Sequence, residues 1–235
     1  MIWITCRRRT SSAAEADRRR AVRREEMKML VCAKCKKHAC EWMRFDEMPS
    51  GCPSRTTTVA EASKEYFKED IFEFGRVCSE NSMSREGPEP RVLEIISVAK
   101  RCGYRKLGLA FCMGFAQEAA ILTKILEYHG FQVESVVCKV GGVDKSLHGI
   151  ENGGNAMCNP IAQARLLNEQ KAEFNIALGL CVGHDSLFFR ASEAPVTVLA
   201  AKDKVLGHNP AAALYLSDGY YKKKLYPPKR DISGQ

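Results

Sequence analysis

Four cysteines crowd the segment VCAKCKKHACEWMRFDEMPSGCP: Cys32, Cys35, Cys40 and Cys52, in the pattern C-x2-C-x4-C-x11-C. A two-residue gap lets one tight turn aim two sulfurs at the same ion, and two further thiolates complete a tetrahedron. The expected cofactor is zinc or an iron–sulfur cluster. Cys52-Pro53 is similar to the Cys-Pro that ends ferredoxin-type cysteine runs. Four thiolates around zinc carry a formal charge of about −2, which Lys34, Lys36, Lys37 and Arg44 would offset, and His38 is an alternative ligand.

A second group of cysteines lies farther along. Three apolar segments read as strands that run into a cysteine: LGLAF (107–111) into Cys112, FQVESVV (131–137) into Cys138, and FNIALGL (174–180) into Cys181. Cys158 lies in a glycine-rich loop leaving the second of these strands. Open α/β sheets bind ligands at the carboxyl ends of their strands, so Cys112, Cys138, Cys158 and Cys181 are candidates to share a zinc ion or a cluster. Two other readings stand beside this one: separate buried thiols, and a catalytic thiol.

The catalytic reading rests on GLCVGHD. Gly179-Leu180-Cys181-Val182-Gly183 fits G-x-C-x-G, a thiol version of the strand–turn–helix nucleophile elbow. Cys181 would be the nucleophile, with His184 or His208 as base and Asp203 as an orienting group. Asp185 either joins this group or caps the following helix. Lys139, Lys145, Lys202 and Asn209 are the other polar side chains at this edge. The loop KVGGVDK matches neither phosphate-binding glycine motif.

The positioning elements follow from periodicity and punctuation. Thr58 reads as the N-cap of a helix from Val59, with Glu61 as capping-box partner. Phe67, Ile71, Phe74 and Cys78 form one stripe along that helix, which makes Cys78 a core residue. The stretch NSMSREGPEP ends the helix. Helices are then expected over 91–102, 115–129, 160–170 and 185–192, the third opened by Pro160 at its first turn. VTVLAA (196–201) is a further strand, and a short helix starts at Pro210. This alternation predicts an α/β fold: a mostly parallel sheet of about four strands flanked by helices, behind an N-terminal cysteine-rich metal-binding segment. An α+β fold with a mixed sheet is the alternative.

The chain divides on this reading into a basic leader (1–28), the cysteine-rich segment (29–58), the α/β domain (59–225) and a disordered tail (226–235) within the terminal KKKLYPPKRDISGQ. The leader carries eight Arg and one Lys against four acidic residues, so it holds +5 of the net +8. A basic, aromatic-poor arm of this kind can bind nucleic acid electrostatically, but a disordered leader is the stronger reading, and nucleic acid is not the expected partner. No apolar run reaches the roughly 20 residues a bilayer span needs, and MIWITCRRR has the wrong order for a secretory signal. The reading is therefore cytoplasmic, with no membrane partner. There, eleven cysteines serve better as ligands or thiols than as disulfides. The expected partners are a metal ion and, if the sites are redox centres, a redox partner protein.

The segments CAKCKKHAC, LGLAFCMGFAQEA, SVVCKVGGVDK, AMCNPIAQARLLN, FNIALGLCVGHDSLF, APVTVLAAKD and LGHNPAAALY carry a resemblance over roughly residues 29–225. The chain resembles a family of uncharacterised metal-binding proteins of bacteria and archaea, classed as a domain of unknown function. The family is marked by the N-terminal cysteine knuckle and the CVGHD motif. The resemblance implies metal binding and no settled reaction. Three functions stay open: a metal-binding protein with two cysteine-rich sites and a redox or electron-transfer role, a thiol-dependent hydrolase or transferase acting through Cys181, and a non-catalytic metal-carrying or sensing module.

Overall fold

A computed structural model describes residues 30, 32–82, 89–151 and 153–228. The expected basic leader (1–28) and the end of the expected tail (229–235) lie outside the described residues. The chain forms two compact units, which meet in sequence between Phe72 and Glu73.

In the first unit, short 3-10 turns at Cys32–Lys34, Phe45–Glu47 and Pro53–Arg55 precede helix α1 (Thr57–Glu65). The N-cap is Thr56, whose hydroxyl accepts the Val59 N–H at 3.4 Å. It is not Thr58, as the sequence suggests. The helix expected to run on through Cys78 is also interrupted. Phe67 and Lys68 donate to carbonyls three residues back, Lys64 and Glu65. This tightens the end of α1 and leaves Phe67 79% exposed. Helix α2 (Glu69–Ser82) starts afresh, and its part from Glu73 on belongs to the second unit, where Val77 is buried. Among the described residues of the first unit, only Ala39 and Met48 are buried hydrophobics.

The second unit contains helix α3 (Arg91–Arg101), then strand β1 (Lys106–Phe111), helix α4 (Ala116–Tyr128), strand β2 (Gln132–Val137) and helix α5 (Pro160–Glu169). Strand β3 (Phe174–Leu178), helix α6 (His184–Ala191) and strand β4 (Val196–Ala200) complete it. Two short helices follow, α7 (Ala212–Tyr215) and α8 (Lys222–Leu225). The second of these occupies KKKL, just before the expected tail (226–235).

The sheet is α/β in kind, with four parallel strands in the order β2-β1-β3-β4. Parallel neighbours need crossover connections, and α4, α5 and α6 supply them. The two central strands are covered on both faces, so Leu107, Leu109, Ala110, Ile176, Ala177 and Leu178 are all buried. The order reverses between β1 and β3: the chain leaves β1 for β2 on one side and returns to β3 on the other. Crevices open at the carboxyl ends of strands flanking such a switch point. Among the described residues no helix is long and apolar enough to cross a membrane.

Candidate functional site

The carboxyl edge of the sheet is built by continuing its ladders one residue further. The Cys112 N–H donates to the Leu178 carbonyl at 3.0 Å, and the Cys138 N–H donates to the Phe111 carbonyl at 2.8 Å. The β1–β2 register ends at Phe111↔Val137, so Cys112 and Cys138 stand opposite one another just beyond it. After Cys112 the chain turns through Met113–Phe115 into α4. The turn's amides face the sulfurs: Gly114 N–H donates to Cys112 Sγ at 3.4 Å, and Met113 N–H to Cys138 Sγ at 3.3 Å. The loop before α5 is fastened to the same edge by Asn159 N–H, 2.8 Å from the Cys138 carbonyl. It carries Cys158 within hydrogen-bond reach of Cys138.

One buried polar side chain braces this edge from behind, and a second lies towards the opposite, amino end of the strands. Gln163 on α5 donates through Nε2 to the Phe111 carbonyl at 3.2 Å and the Val136 carbonyl at 2.7 Å, clamping the ends of β1 and β2 together. Asn175 on β3 donates to Ser192 Oγ at 2.9 Å. Gly108 makes room for it, since a Cβ there would lie 1.9 Å from Asn175 Oδ1.

Lys202, just past β4, brings the charge. Its Nζ lies 2.6 Å from Cys112 Sγ and also hydrogen-bonds Cys181. Burial pushes the Cys112 thiol up, but the Lys202 ammonium, the Gly114 N–H and the Cys138 thiol outweigh it, and the net shift is downward. Cys138 moves the other way. Burial raises it first, the charges of Cys112 and Cys158 add to this, and it is pushed up to about 11. Lys202 is lowered by burial yet raised overall by the sulfurs of Cys112 and Cys181. The Cys112 thiol thus ionises more readily than its neighbour Cys138.

Cys181 follows Gly179, whose φ of +65° and close approach to the Phe115 ring both exclude a side chain: a Cβ would lie 2.1 Å from that ring. The His184 and Asp185 backbone N–H groups donate to the Cys181 carbonyl at 2.9 and 3.1 Å. Asp185 Oδ1 accepts from the N–H groups of Gly183 and Ser186 at 3.0 and 2.7 Å, which braces the first turn of α6, whose N-cap is Gly183 and not Asp185. His208 packs on Phe115 with ring centroids 4.4 Å apart. Its Nδ1 accepts the Asp203 backbone N–H at 3.1 Å, which leaves the proton of the neutral ring on Nε2. The Asp203 carboxylate accepts from Val205 and Leu206 instead. Among the described residues no hydrogen bond joins the Cys181 sulfur to either imidazole. In the glycine-rich loop, Lys139 is held by the Ala156 carbonyl and Lys145 by the Gly153 carbonyl and Asn155.

In the first unit, the Cys35 N–H donates to the Cys32 carbonyl at 3.0 Å. The Cys35 sulfur accepts the backbone N–H groups of His38 and Lys37, which lower its pKa. His38 takes a φ of +46°, in the left-handed region that few residues other than glycine adopt. Cys32, Cys35 and Cys52 line a cavity of about 320 Å³ together with Lys34, Lys36 and Lys37. Cys40 is exposed and lies outside that lining. Among the described residues no three His, Cys, Asp or Glu side chains converge on a point that would hold a metal ion, in either unit.

The sequence placed Cys112, Cys138, Cys158 and Cys181 at one edge; in the structure Cys112 and Cys138 stand opposite one another, and Cys158 precedes Asn159, whose N–H is bonded to the Cys138 carbonyl. Cys181 reaches the group through Lys202. The decisive partners, Lys202 and Gln163, carried no assigned role in the sequence. The available signal for Lys202 was a lysine directly after the strand VTVLAA.

The model of a family described as "Protein of unknown function (DUF1847)" matches residues 52–199. The uncharacterized protein MJ0455 of Methanocaldococcus jannaschii is 41% identical over 204 residues, which cover 85% of this chain and 100% of that relative.

Proposed function

The chain belongs to the DUF1847 family of proteins of unknown function, and from that premise we propose that it is a metal-binding protein. In this reading the cysteine-rich unit holds zinc or an iron–sulfur cluster through Cys32, Cys35, Cys40 and Cys52. The observation that carries it is the cavity lined by Cys32, Cys35 and Cys52, in a unit whose described residues bury only Ala39 and Met48 as hydrophobics. A core that small cannot offset the entropy of ordering the chain, and small units of this kind rely on a staple such as a metal.

The donor chemistry fits. Thiols suit a thiophilic ion, and the two N–H groups on the Cys35 sulfur favour its thiolate. Lys34, Lys36 and Lys37 compensate the charge that four thiolates bring. A bound zinc would serve as a structural pin, and a cluster would add one-electron chemistry. At the strand edge, by contrast, Lys202 already supplies the positive charge that balances Cys112, and we assign no metal there.

The test is elemental analysis of anaerobically purified protein, with acid-labile sulfide and visible absorption measured on the same sample. One metal site should be lost in a Cys32→Ser/Cys35→Ser double variant and kept in Cys112→Ser. A chain that purifies without metal, or a double variant that keeps it, would refute the reading.

A further inference from the structure

Cys112 and Cys138 are separated along the chain but opposed across two paired strands. The register ends at Phe111↔Val137, and the Cys138 N–H still bonds to the Phe111 carbonyl at 2.8 Å. Directly opposite residues of adjacent strands lie about 5 Å apart at Cα and send their side chains to the same face. A disulfide spans about 4.4–6.8 Å between Cα atoms, so the backbone already has the spacing the bond requires. Both thiols are free, and the Met113 N–H that follows Cys112 in the chain donates to Cys138 Sγ at 3.3 Å. Lys202 Nζ and the Gly114 N–H, 2.6 and 3.4 Å from Cys112 Sγ, are placed to hold a negative charge on that sulfur and not on its partner.

We propose that Cys112 and Cys138 form a redox-active dithiol that exchanges with small disulfides at the carboxyl ends of β1 and β2. The assignment is separate from the metal reading and does not depend on it. The Cys112 thiolate attacks one sulfur of the substrate disulfide. A Cys112–substrate mixed disulfide forms, and the other half of the substrate leaves as a thiolate. Cys138 passes its proton to that leaving thiolate and attacks Cys112 Sγ, which releases the second half of the substrate as a thiolate. The dithiol loses two electrons to become the Cys112–Cys138 disulfide, and the substrate gains them as one thiol and one thiolate. The reverse sequence restores the dithiol. Cys112 and Cys138 are only 5% and 3% exposed. The substrate class is therefore a low-molecular-weight disulfide and not one set in the surface of a globular partner.

The experiment equilibrates the full, reduced chain with oxidised and reduced glutathione at a series of ratios, quenches by alkylation, and maps the digested protein by mass spectrometry. A cross-linked pair of peptides containing Cys112 and Cys138, lighter by two hydrogens, should appear and should revert with excess reduced glutathione. In Cys138→Ser, glutathione should accumulate on Cys112. The mapping on the unsubstituted chain decides the matter even if that variant does not fold. Cys138 pairing with Cys158 in preference to Cys112, or Cys112 staying unmodified until the chain is denatured, would overturn the proposal. Loss of a bound metal on replacing Cys112 by Ser would also overturn it, by making Cys112 a ligand.

Discussion

Lys202 Nζ and Cys112 Sγ lie 2.6 Å apart across 90 residues of sequence, and their contact reaches from the end of β4 over β3 to the end of β1. The folded state lowers the thiol and raises the amine. A group with a lowered folded pKa contributes stability in full above its unfolded value, and loses it as pH falls through the folded one. A group with a raised folded pKa contributes in full below its unfolded value, and loses it as pH rises through the folded one. With ordinary values of 9.0 for the thiol and 10.5 for the amine, the pair contributes most between those pH values. The melting-temperature difference between the unsubstituted chain and Lys202→Met should therefore be largest in that window and should narrow on acidification. At neutral pH, Lys202→Met should also slow alkylation of Cys112 by iodoacetamide, because burial alone raises the thiol. An unchanged alkylation rate would remove Lys202 from the account.

Gln163 is fully buried and donates to carbonyls on two strands, but its own Oε1 has no partner. In Gln163→Leu two hydrogen bonds go, each worth about 1 kcal/mol net, and one unpartnered oxygen goes with them. The expected outcome is a destabilisation of about 1 kcal/mol, read as a lower urea midpoint with an unchanged slope. A variant more stable than the parent would show that the orphaned oxygen costs more than the two bonds contribute.

Gly179 separates two kinds of glycine dependence. Alanine at 179 meets both a positive φ and the Phe115 ring, whereas alanine at Gly183, at φ +85°, meets open space. Gly183→Ala should cost about 1–2 kcal/mol through backbone conformation alone. Gly179→Ala should cost about 3 kcal/mol or more, because Phe115 must move as well. Chemical denaturation of the two variants side by side checks the difference. Equal losses would mean that the ring yields freely.

The α/β class, the four strands and the opening of α5 at Pro160 were legible because each depends on local signals: short apolar runs, helical spacing, and proline or glycine punctuation. The cap of α1 was not, since Thr56, Thr57 and Thr58 are equivalent as residue types, and only the geometry of Thr56 reaches Val59. The candidate site was half legible. Cysteines at strand ends could be counted in the chain, but strand order and register could not. The order β2-β1-β3-β4 is what sets Cys112 beside Cys138 and puts β3, which runs towards Cys181, between β1 and the strand that leads to Lys202. Lys202 itself is one lysine among many until the sheet brings it to a sulfur.

Arg55 offers a test of the first unit that leaves every cysteine in place. Its guanidinium donates to the carbonyls of Phe45 at 2.6 Å and Met48 at 3.1 Å, closing the loop that leads to Cys52. Removing a group that positions a metal ligand without binding the metal typically costs about 10–100-fold in affinity. Arg55→Ala should therefore weaken metal binding by about tenfold or more, measured by competition with a chromophoric chelator. Lys64→Ala is the control, because Lys64 makes an exposed 2.9 Å ion pair with Glu61 on helix α1, and pairs of that kind contribute little. Equal affinities for the two variants would mean that the Phe45–Cys52 loop plays no part in holding the ion.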